Sequence, residues 1–416
     1  MKYSTDKSFC EELDQKDSLK SYKDLFFIPK NKQGKDLIYF CGNSLGLQPK
    51  KTKEYIIQEI DDWKTLAVEG HFRAKNPWLP YHEMLSTSYS KLIGAKSSEV
   101  IAMNTLTVNL HLMMVSFYKP KKNKFKILIE KDAFPSDIYA VESQIKFHGF
   151  KADEALIKLE PRKGEYYIRQ EDIEKIIKEN SNEIALILLG GVNYYTGQLF
   201  DMQKITKVGH EHGIVVGFDL AHAIGNVKLE LNKWNVDFAV WCSYKYLNSG
   251  PGAIAGAFVN ERFHNVELPR FTGWWGHNKK ERFLMDDKFK PIKSAEGWQL
   301  SNPPIFSLAP VFASLSIFDK VGMDDLIKKS KALTNYLEFL IKSIDNKNIK
   351  IIDVPMRGCQ LSIRVKNFDK KLFNNLTENG IVADWREPDV IRIAPVPLYN
   401  TFTDAFNFYQ TLKKLL

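Results

Sequence analysis

Apolar positions along the chain fall into short blocks with two different spacings. Residues 37–40 form a strand-like run that enters the turn Cys41-Gly-Asn-Ser-Leu-Gly46. Ile56, Ile57, Ile60 and Trp63 then recur at helical spacing, which predicts a helix over 49–66. From about residue 97 the two periods alternate. Helices are predicted over 107–117, 137–147 and 201–211, and strands over 126–130, 184–189, 214–218, 236–241 and 253–259. Near-continuous apolar strands alternating with helices predict an α/β sheet, mostly parallel and covered on both faces. The last part changes character. A long helix over 323–344 carries Leu326, Leu333, Leu337, Leu340 and Ile344 on one stripe, and is followed by strands 349–352, 360–365 and 390–393 and helices 369–379 and 403–415. This predicts a smaller α+β domain over 306–416, a large α/β domain over 67–305, and an N-terminal segment, 1–66, that packs on the small domain.

Composition narrows the class. A chain of 416 residues with 44% hydrophobic and 26% charged residues is long enough for two or three domains and is ordinary for a globular protein. No apolar run approaches the roughly 18 residues of a membrane-spanning helix, so no membrane partner is expected. The charged first 20 residues lack the apolar stretch of a signal peptide. The net charge of +9 comes from lysines that alternate with acids on predicted helices, as on a solvated face, so nucleic acid is not the expected partner. The densest lysine cluster, 119–126, lies between a helix and a strand pattern and reads as an exposed loop. Cys10, Cys41, Cys242 and Cys359 are scattered without a CxxC pair, so neither a zinc site nor a disulfide framework is expected, and a cytoplasmic location fits.

One segment carries chemistry. In Val236-Asp-Phe-Ala-Val-Trp-Cys-Ser-Tyr-Lys245-Tyr-Leu-Asn-Ser-Gly-Pro-Gly252 a lysine emerges from a strand expected to be buried. Desolvation disfavours the ammonium form and frees an amine for Schiff-base formation. Asp219 ends another strand, at the edge where open α/β sheets bind ligands. A lysine and an acid at the ends of two strands are what pyridoxal phosphate requires, one for its aldehyde and one to keep the pyridine nitrogen protonated. His222 is placed to hold Asp219. Thr107, near a helix start, offers free N–H groups to a phosphate, and Tyr244 adds a phenol beside Lys245.

With these residues in place, the chain resembles kynureninase, a fold-type I pyridoxal-phosphate enzyme. The resemblance rests on Tyr39-Phe-Cys-Gly-Asn-Ser-Leu-Gly-Leu-Gln48, Met103-Asn-Thr-Leu-Thr-Val-Asn109, Ala133-Phe-Pro-Ser-Asp137, Gly217-Phe-Asp-Leu-Ala-His-Ala223, Trp241-Cys-Ser-Tyr-Lys-Tyr-Leu-Asn248, Gly273-Trp-Trp-Gly-His277, Ser301-Asn-Pro-Pro304 and Arg392-Ile-Ala-Pro-Val-Pro-Leu-Tyr-Asn400, in family order over nearly the whole chain. It implies hydrolytic Cβ–Cγ cleavage of L-kynurenine or 3-hydroxy-L-kynurenine to an anthranilate and L-alanine, in tryptophan catabolism or NAD biosynthesis.

The resemblance also implies roles. Lys245 bonds the cofactor and shuttles protons with Tyr244. Asp219, with His222 behind it, pairs with the pyridinium, and Phe134 stacks on the ring. Leu106, Thr107, Pro135, Ser136, Asp137 and Tyr244 seat the cofactor and its phosphate. Trp274 and Asn302 arrive from the partner of a homodimer with shared active sites. Ser44, His71, Asn302 and Arg392 hold the substrate, Arg392 by its carboxylate. His71 and Asn302 match the branch that prefers the 3-hydroxy substrate, since an imidazole and a carboxamide both hydrogen-bond a phenol. Gly190 departs from the family, which usually has Ser or Thr there near the cofactor. Two alternatives are a cysteine desulfurase or selenocysteine lyase of the same fold, and a non-catalytic binding protein. The first needs a mobile reactive cysteine, and the only late one, Cys359, precedes a strand pattern that predicts burial.

Overall fold

The computed structural model describes residues 3–367 and 369–416, so the first two residues of the N-terminal segment lie outside it. Seven strands form the main sheet in the order Val100–Ala102, Gly256–Val259, Phe238–Trp241, Val215–Asp219, Ile184–Gly190, Lys126–Glu130, Leu156–Leu159. The five from Phe238–Trp241 to Leu156–Leu159 are parallel, and Gly256–Val259 runs antiparallel to both its neighbours. The expected α/β class and mostly parallel sheet are therefore what forms.

Side chains alternate between the two faces, and both faces are buried. Leu128, Ile187, Leu189, Val216, Phe218 and Trp241 enter one core. Ile127, Ile129, Leu186, Leu188, Phe238 and Val240 enter the other. Covering both faces is why these strands read as continuous apolar runs rather than alternating ones. Helices Leu106–Phe117 and Pro135–Phe147 cover the second face, while Tyr81–Ile93, Met202–Glu211 and Ile305–Val321 contribute to the first.

A smaller antiparallel sheet follows, in the order Asp384–Arg386, Val390–Ile393, Leu361–Val365, Ile349–Ile351. Its core takes Leu333, Leu337 and Leu340 from helix Met323–Lys342 and Phe408 from helix Phe402–Leu415. The N-terminal segment adds to this unit. Helix Lys7–Gln15 lies on Phe402–Leu415, where Asp14 accepts from the N–H groups of Phe402 (2.7 Å) and Thr403 (2.9 Å), and Ile38–Tyr39 pairs with Ile381–Val382.

Two expectations need correction. Helix Ile305–Val321 packs with the large sheet, burying Leu308, Val311, Leu315 and Phe318 in its core, so a small unit starting at 306 takes in a helix that belongs elsewhere. The helix is apolar all round, which leaves no amphipathic period to detect. Helix Thr52–Leu66 packs against that helix rather than the small sheet, and its apolar stripe faces outward: Trp63 is 59% exposed, with Ile57 and Ile60 beside it. Its buried members are Thr52 and Glu59, and Glu59 accepts from Trp78 Nε1 at 2.9 Å. Among the described residues no single helix is long and apolar enough to cross a membrane.

Candidate active site

The carboxyl ends of the central strands open into a cavity lined by Leu106, Thr107, Glu130, Phe134, Asp137 and Lys245, with Gly190, Asn193, Asp219 and His222 also on its walls. Asp219 ends its own strand and Lys245 lies in the loop just after Phe238–Trp241, the adjacent parallel strand, so the sheet order makes them neighbours. Gly46 closes this loop from the N-terminal turn. Its N–H donates to the Tyr244 carbonyl (2.8 Å), and any Cβ at this position would lie 2.3 Å from the Lys245 carbonyl, so only glycine permits the approach.

Lys245 Nζ and His222 Nε2 are 3.0 Å apart. Burial, then the Lys245 charge, drives the His222 pKa well below its usual value, so a neutral ring accepts from the amine. This corrects the expectation that His222 supports Asp219. Asp219 accepts instead from the Ala221 N–H at 2.7 Å. Its carboxyl is pushed upward by burial, opposed by that N–H and by the Lys245 charge. Asp137, in the first turn of helix Pro135–Phe147, faces Asp219. Burial first, then the Asp219 charge, raises its pKa strongly, and its Oδ1 has no hydrogen-bond partner among the described residues.

Two helix N-termini meet here. Thr107, from Leu106–Phe117, and Ser136, from Pro135–Phe147, bring their hydroxyls to 2.9 Å. Leu106, Phe134, Ser136 and Tyr244 line the cavity, and Lys245 Nζ is 5.8 Å from the centre of the Phe134 ring. Burial raises the Tyr244 phenol, which keeps its proton. Pro135 opens its helix and is exposed.

Arg392 lies in an interior strand of the small sheet and is 1% exposed. Asp384 holds its Nε (3.1 Å) and Nη2 (2.8 Å), and the Tyr194 carbonyl holds Nη1 (2.5 Å). Ser44 sits half-buried in the 41–46 turn. Neither Arg392 nor Ser44 is on the cavity lining, and the remaining expected residues also lie apart from it. Trp274 is 44% exposed and donates from Nε1 to the Arg282 carbonyl, Asn302 is exposed, and His71 stands edge-on to Trp78 at 5.4 Å.

Glu130, Asn193 and Tyr194 line the cavity without having been foreseen. Glu130 is 3% exposed and accepts from the Gly190 N–H (2.7 Å) and Asn193 Nδ2 (2.6 Å). A Cβ at position 190 would lie 3.1 Å from its Oε1, so the carboxylate occupies the room beside the glycine. The signal available in sequence was the one that marked Asp219: an acid ending an apolar strand.

The donor set suits pyridoxal phosphate. Two helix N-termini with hydroxyls answer a phosphate, a buried acid answers a ring nitrogen, an amine answers the aldehyde, and the unpartnered Asp137 Oδ1 leaves an acceptor to be satisfied.

Comparison with known proteins agrees. A family profile described as "Kynureninase C-terminal domain" matches residues 326–412, and one for the DegT/DnrJ/EryC1/StrS aminotransferase family matches 85–231. The chain is 54% identical over 413 residues to a kynureninase of Flavobacterium psychrophilum, covering 98% of this chain and 97% of that one. It is 52% identical to a kynureninase of Myxococcus xanthus (99% and 97% covered) and 47% identical to one of Nematostella vectensis (98% and 93%). In fold it is similar to the cysteine desulfurase CsdA of Escherichia coli, with TM-score 0.77, 14% identity and 96% and 98% covered. It is also similar to a cysteine desulfurase of Thermococcus onnurineus, with TM-score 0.76, 17% identity and 91% and 94% covered. The fold is that of the fold-type I pyridoxal-phosphate enzymes, and with half of its residues identical to curated relatives over their full length the chain belongs to the kynureninase family.

Proposed function

We propose that this enzyme hydrolyses the Cβ–Cγ bond of L-kynurenines to an anthranilate and L-alanine and prefers the 3-hydroxylated substrate. The carrying observation is the one cavity in which Lys245, Asp219 and two helix N-termini converge. Pyridoxal phosphate, when bound, supplies an aldehyde for amines and a protonated ring that takes up charge from the substrate Cα. Leu106, Thr107 and Ser136 would hold its phosphate end, Phe134 would pack on its ring, and Asp219, with Asp137 beside it, would keep the ring nitrogen protonated. Lys245 Nζ removes and returns the Cα proton, and neutral His222 steadies the amine by accepting from it. Water adds to the γ-carbonyl carbon, which departs as the anthranilate carboxyl group, and Tyr244, which keeps its proton, is suited to deliver one to the Cβ left behind as the methyl group of alanine.

Arg392 is the proposed carboxylate clamp. Of the five guanidinium N–H groups, the bonds to Asp384 and Tyr194 leave one free on each Nη nitrogen. That pair forms a fork of the kind carboxylates accept. Ser44 lies on the 41–46 turn, whose Gly46 N–H donates to the Tyr244 carbonyl, and is the proposed polar contact to the substrate on this side. Cys359 is 1% exposed and burial pushes its thiol up to about 12, so the desulfurase alternative lacks its nucleophile.

The homodimer is proposed on the exposed apolar face. Trp63, at 5.9 Å from Phe306, shares its helix with exposed Ile57 and Ile60; Phe72 is exposed, as is Trp274 with Phe283 at 5.4 Å. Large exposed apolar side chains of this kind are what an interface would cover. Trp274, Asn302 and His71 then serve the partner's cavity, where His71 and Asn302 meet the 3-hydroxyl.

The test is a product assay with both substrates. Release of alanine with 3-hydroxyanthranilate at a kcat/KM higher than for L-kynurenine is expected. No alanine from either refutes the activity, whereas equal values refute only the preference. Mixing Lys245→Ala with Trp274→Ala subunits is expected to restore activity in the heterodimer, and no restoration would mean each site is self-contained.

A further inference from the structure

Glu130 ends strand Lys126–Glu130 with no lysine or arginine paired to it among the described residues. Its bonds are fixed in direction by its neighbour. Asn193 Oδ1 accepts from the N–H groups of Tyr195 (3.0 Å) and Thr196 (2.9 Å), so Nδ2 is the end that meets Glu130. Both Glu130 oxygens therefore accept, one from Asn193 and one from the Gly190 N–H, which is the bonding of an ionised carboxylate. Burial acts the other way, and with the Asp219 and Asp132 charges facing it the group is pushed up to about 7. Asp137 and Lys245 line the same cavity.

Asn193 also starts a tight hairpin. Its N–H donates to the Gln198 carbonyl (2.8 Å), Gly197 N–H donates back to it (3.0 Å), and Val192 bridges Leu199. The tip presents Tyr194, whose ring stands edge-on to Phe134 at 5.4 Å and whose carbonyl receives Arg392. From the small sheet, Gln360 donates to the Tyr194 carbonyl (3.0 Å) and Ser362 to that of Tyr195 (2.5 Å). The hairpin is thus held by the small sheet at its tip and by Glu130 at its base.

We propose that Glu130 is a positioning residue for the substrate: its carboxylate pins the 192–199 hairpin to the end of the central sheet and so fixes where Tyr194 and Arg392 meet the substrate carboxylate. This rests on Arg392 being the carboxylate clamp. Uptake of a proton by Glu130 weakens both acceptor bonds, so the pinning loosens as pH falls through neutrality.

The test compares the wild-type loaded enzyme with Glu130→Gln and Asn193→Ala. Glutamine keeps one acceptor and turns an N–H2 group toward a donor. Both variants are expected to raise KM for L-kynurenine about tenfold near pH 8 while kcat stays within about threefold, since a charged hydrogen bond is lost from positioning and not from the chemistry. The wild-type KM is expected to climb as pH is lowered from about 8 to about 6, and the KM of Glu130→Gln to stay flat, because its anchoring group no longer titrates there. Chymotrypsin cleavage after Tyr194 or Tyr195, without substrate, is expected to be faster in both variants than in wild type. Unchanged KM, pH profile and cleavage in a folded Glu130→Gln enzyme would overturn the proposal, as would a raised KM with unchanged cleavage. If Glu130→Gln does not fold, Glu130→Asp, which keeps the charge and shortens the reach by one methylene, decides by the same KM and cleavage readouts. Arg392→Lys separates the two readings: an unchanged KM there refutes the clamp, while the cleavage rates still decide whether Glu130 pins the hairpin.

Discussion

Lys245 gains its setting from residues that only the sheet order brings near it. Asp219 and Lys245 were legible as polar residues at the ends of apolar strands, because such an end must open either to solvent or to a ligand. Glu130 obeyed the same rule and was missed, since the partners that give it meaning, Gly190 and Asn193, belong to a strand and hairpin next to it in space and 60 or more residues away along the chain. The role of His222 was misassigned for a related reason: sequence proximity to Asp219 suggested contact, but the ring turns to Lys245. Two substitutions test this scale. Lys245→Ala is expected to abolish turnover in a steady-state assay while leaving the fold intact by circular dichroism. Arg392→Lys is expected to raise KM by about tenfold or more with a smaller change in kcat, because an ammonium cannot reproduce a planar fork. A lysine variant with unchanged KM would place the substrate carboxylate elsewhere.

Elements were legible where burial is one-sided or complete along a strand, and illegible where it is not. The strands of the main sheet stood out because both faces are covered. Helix Ile305–Val321 escaped because it is apolar all round, and helix Thr52–Leu66 gave the wrong buried face because its apolar stripe is free in a single chain. The phosphate cradle depends on elements as whole units. Helices Leu106–Phe117 and Pro135–Phe147 point their positive ends at one spot, and the Thr107–Ser136 hydroxyl contact marks it. Replacing Thr107 by Val and Ser136 by Ala removes two donors and leaves the backbone N–H groups. Cofactor affinity is expected to fall about tenfold per lost donor, as each such hydrogen bond is worth on the order of 1 kcal/mol or more. Titrating cofactor-free protein with pyridoxal phosphate by fluorescence measures this directly. No change would mean that the N–H groups of the helices suffice.

For the whole molecule, the cavity concentrates buried acid in a way that the fold must tolerate. Glu130, Asp137 and Asp219 all have pKa values raised chiefly by burial, against the single ammonium of Lys245 on the same walls. A carboxyl with a raised pKa binds a proton in the folded chain that the unfolded chain has already released. Stability is then highest below the ordinary carboxyl range and is lost as pH rises toward the folded value, which for Glu130 is about 7. That interval corresponds to roughly 3 kcal/mol for Glu130 alone, at about 1.4 kcal/mol per unit. His222 acts in the opposite sense, because its lowered pKa costs stability as pH falls below the usual histidine range. The two trends overlap, so the informative quantity is a difference. Without cofactor, the melting temperature of Glu130→Gln minus that of wild type is expected to increase as pH rises from about 5 to about 7 and to level off above that, since only wild type must ionise the buried group. With pyridoxal phosphate bound, a cationic ring nitrogen beside Asp219 eases the ionisation of the neighbouring carboxyls, and the slope of that difference is expected to shrink. A difference that does not vary with pH in the cofactor-free protein would show that Glu130 ionises in the fold at no cost, and that the cavity is better solvated than its burial implies.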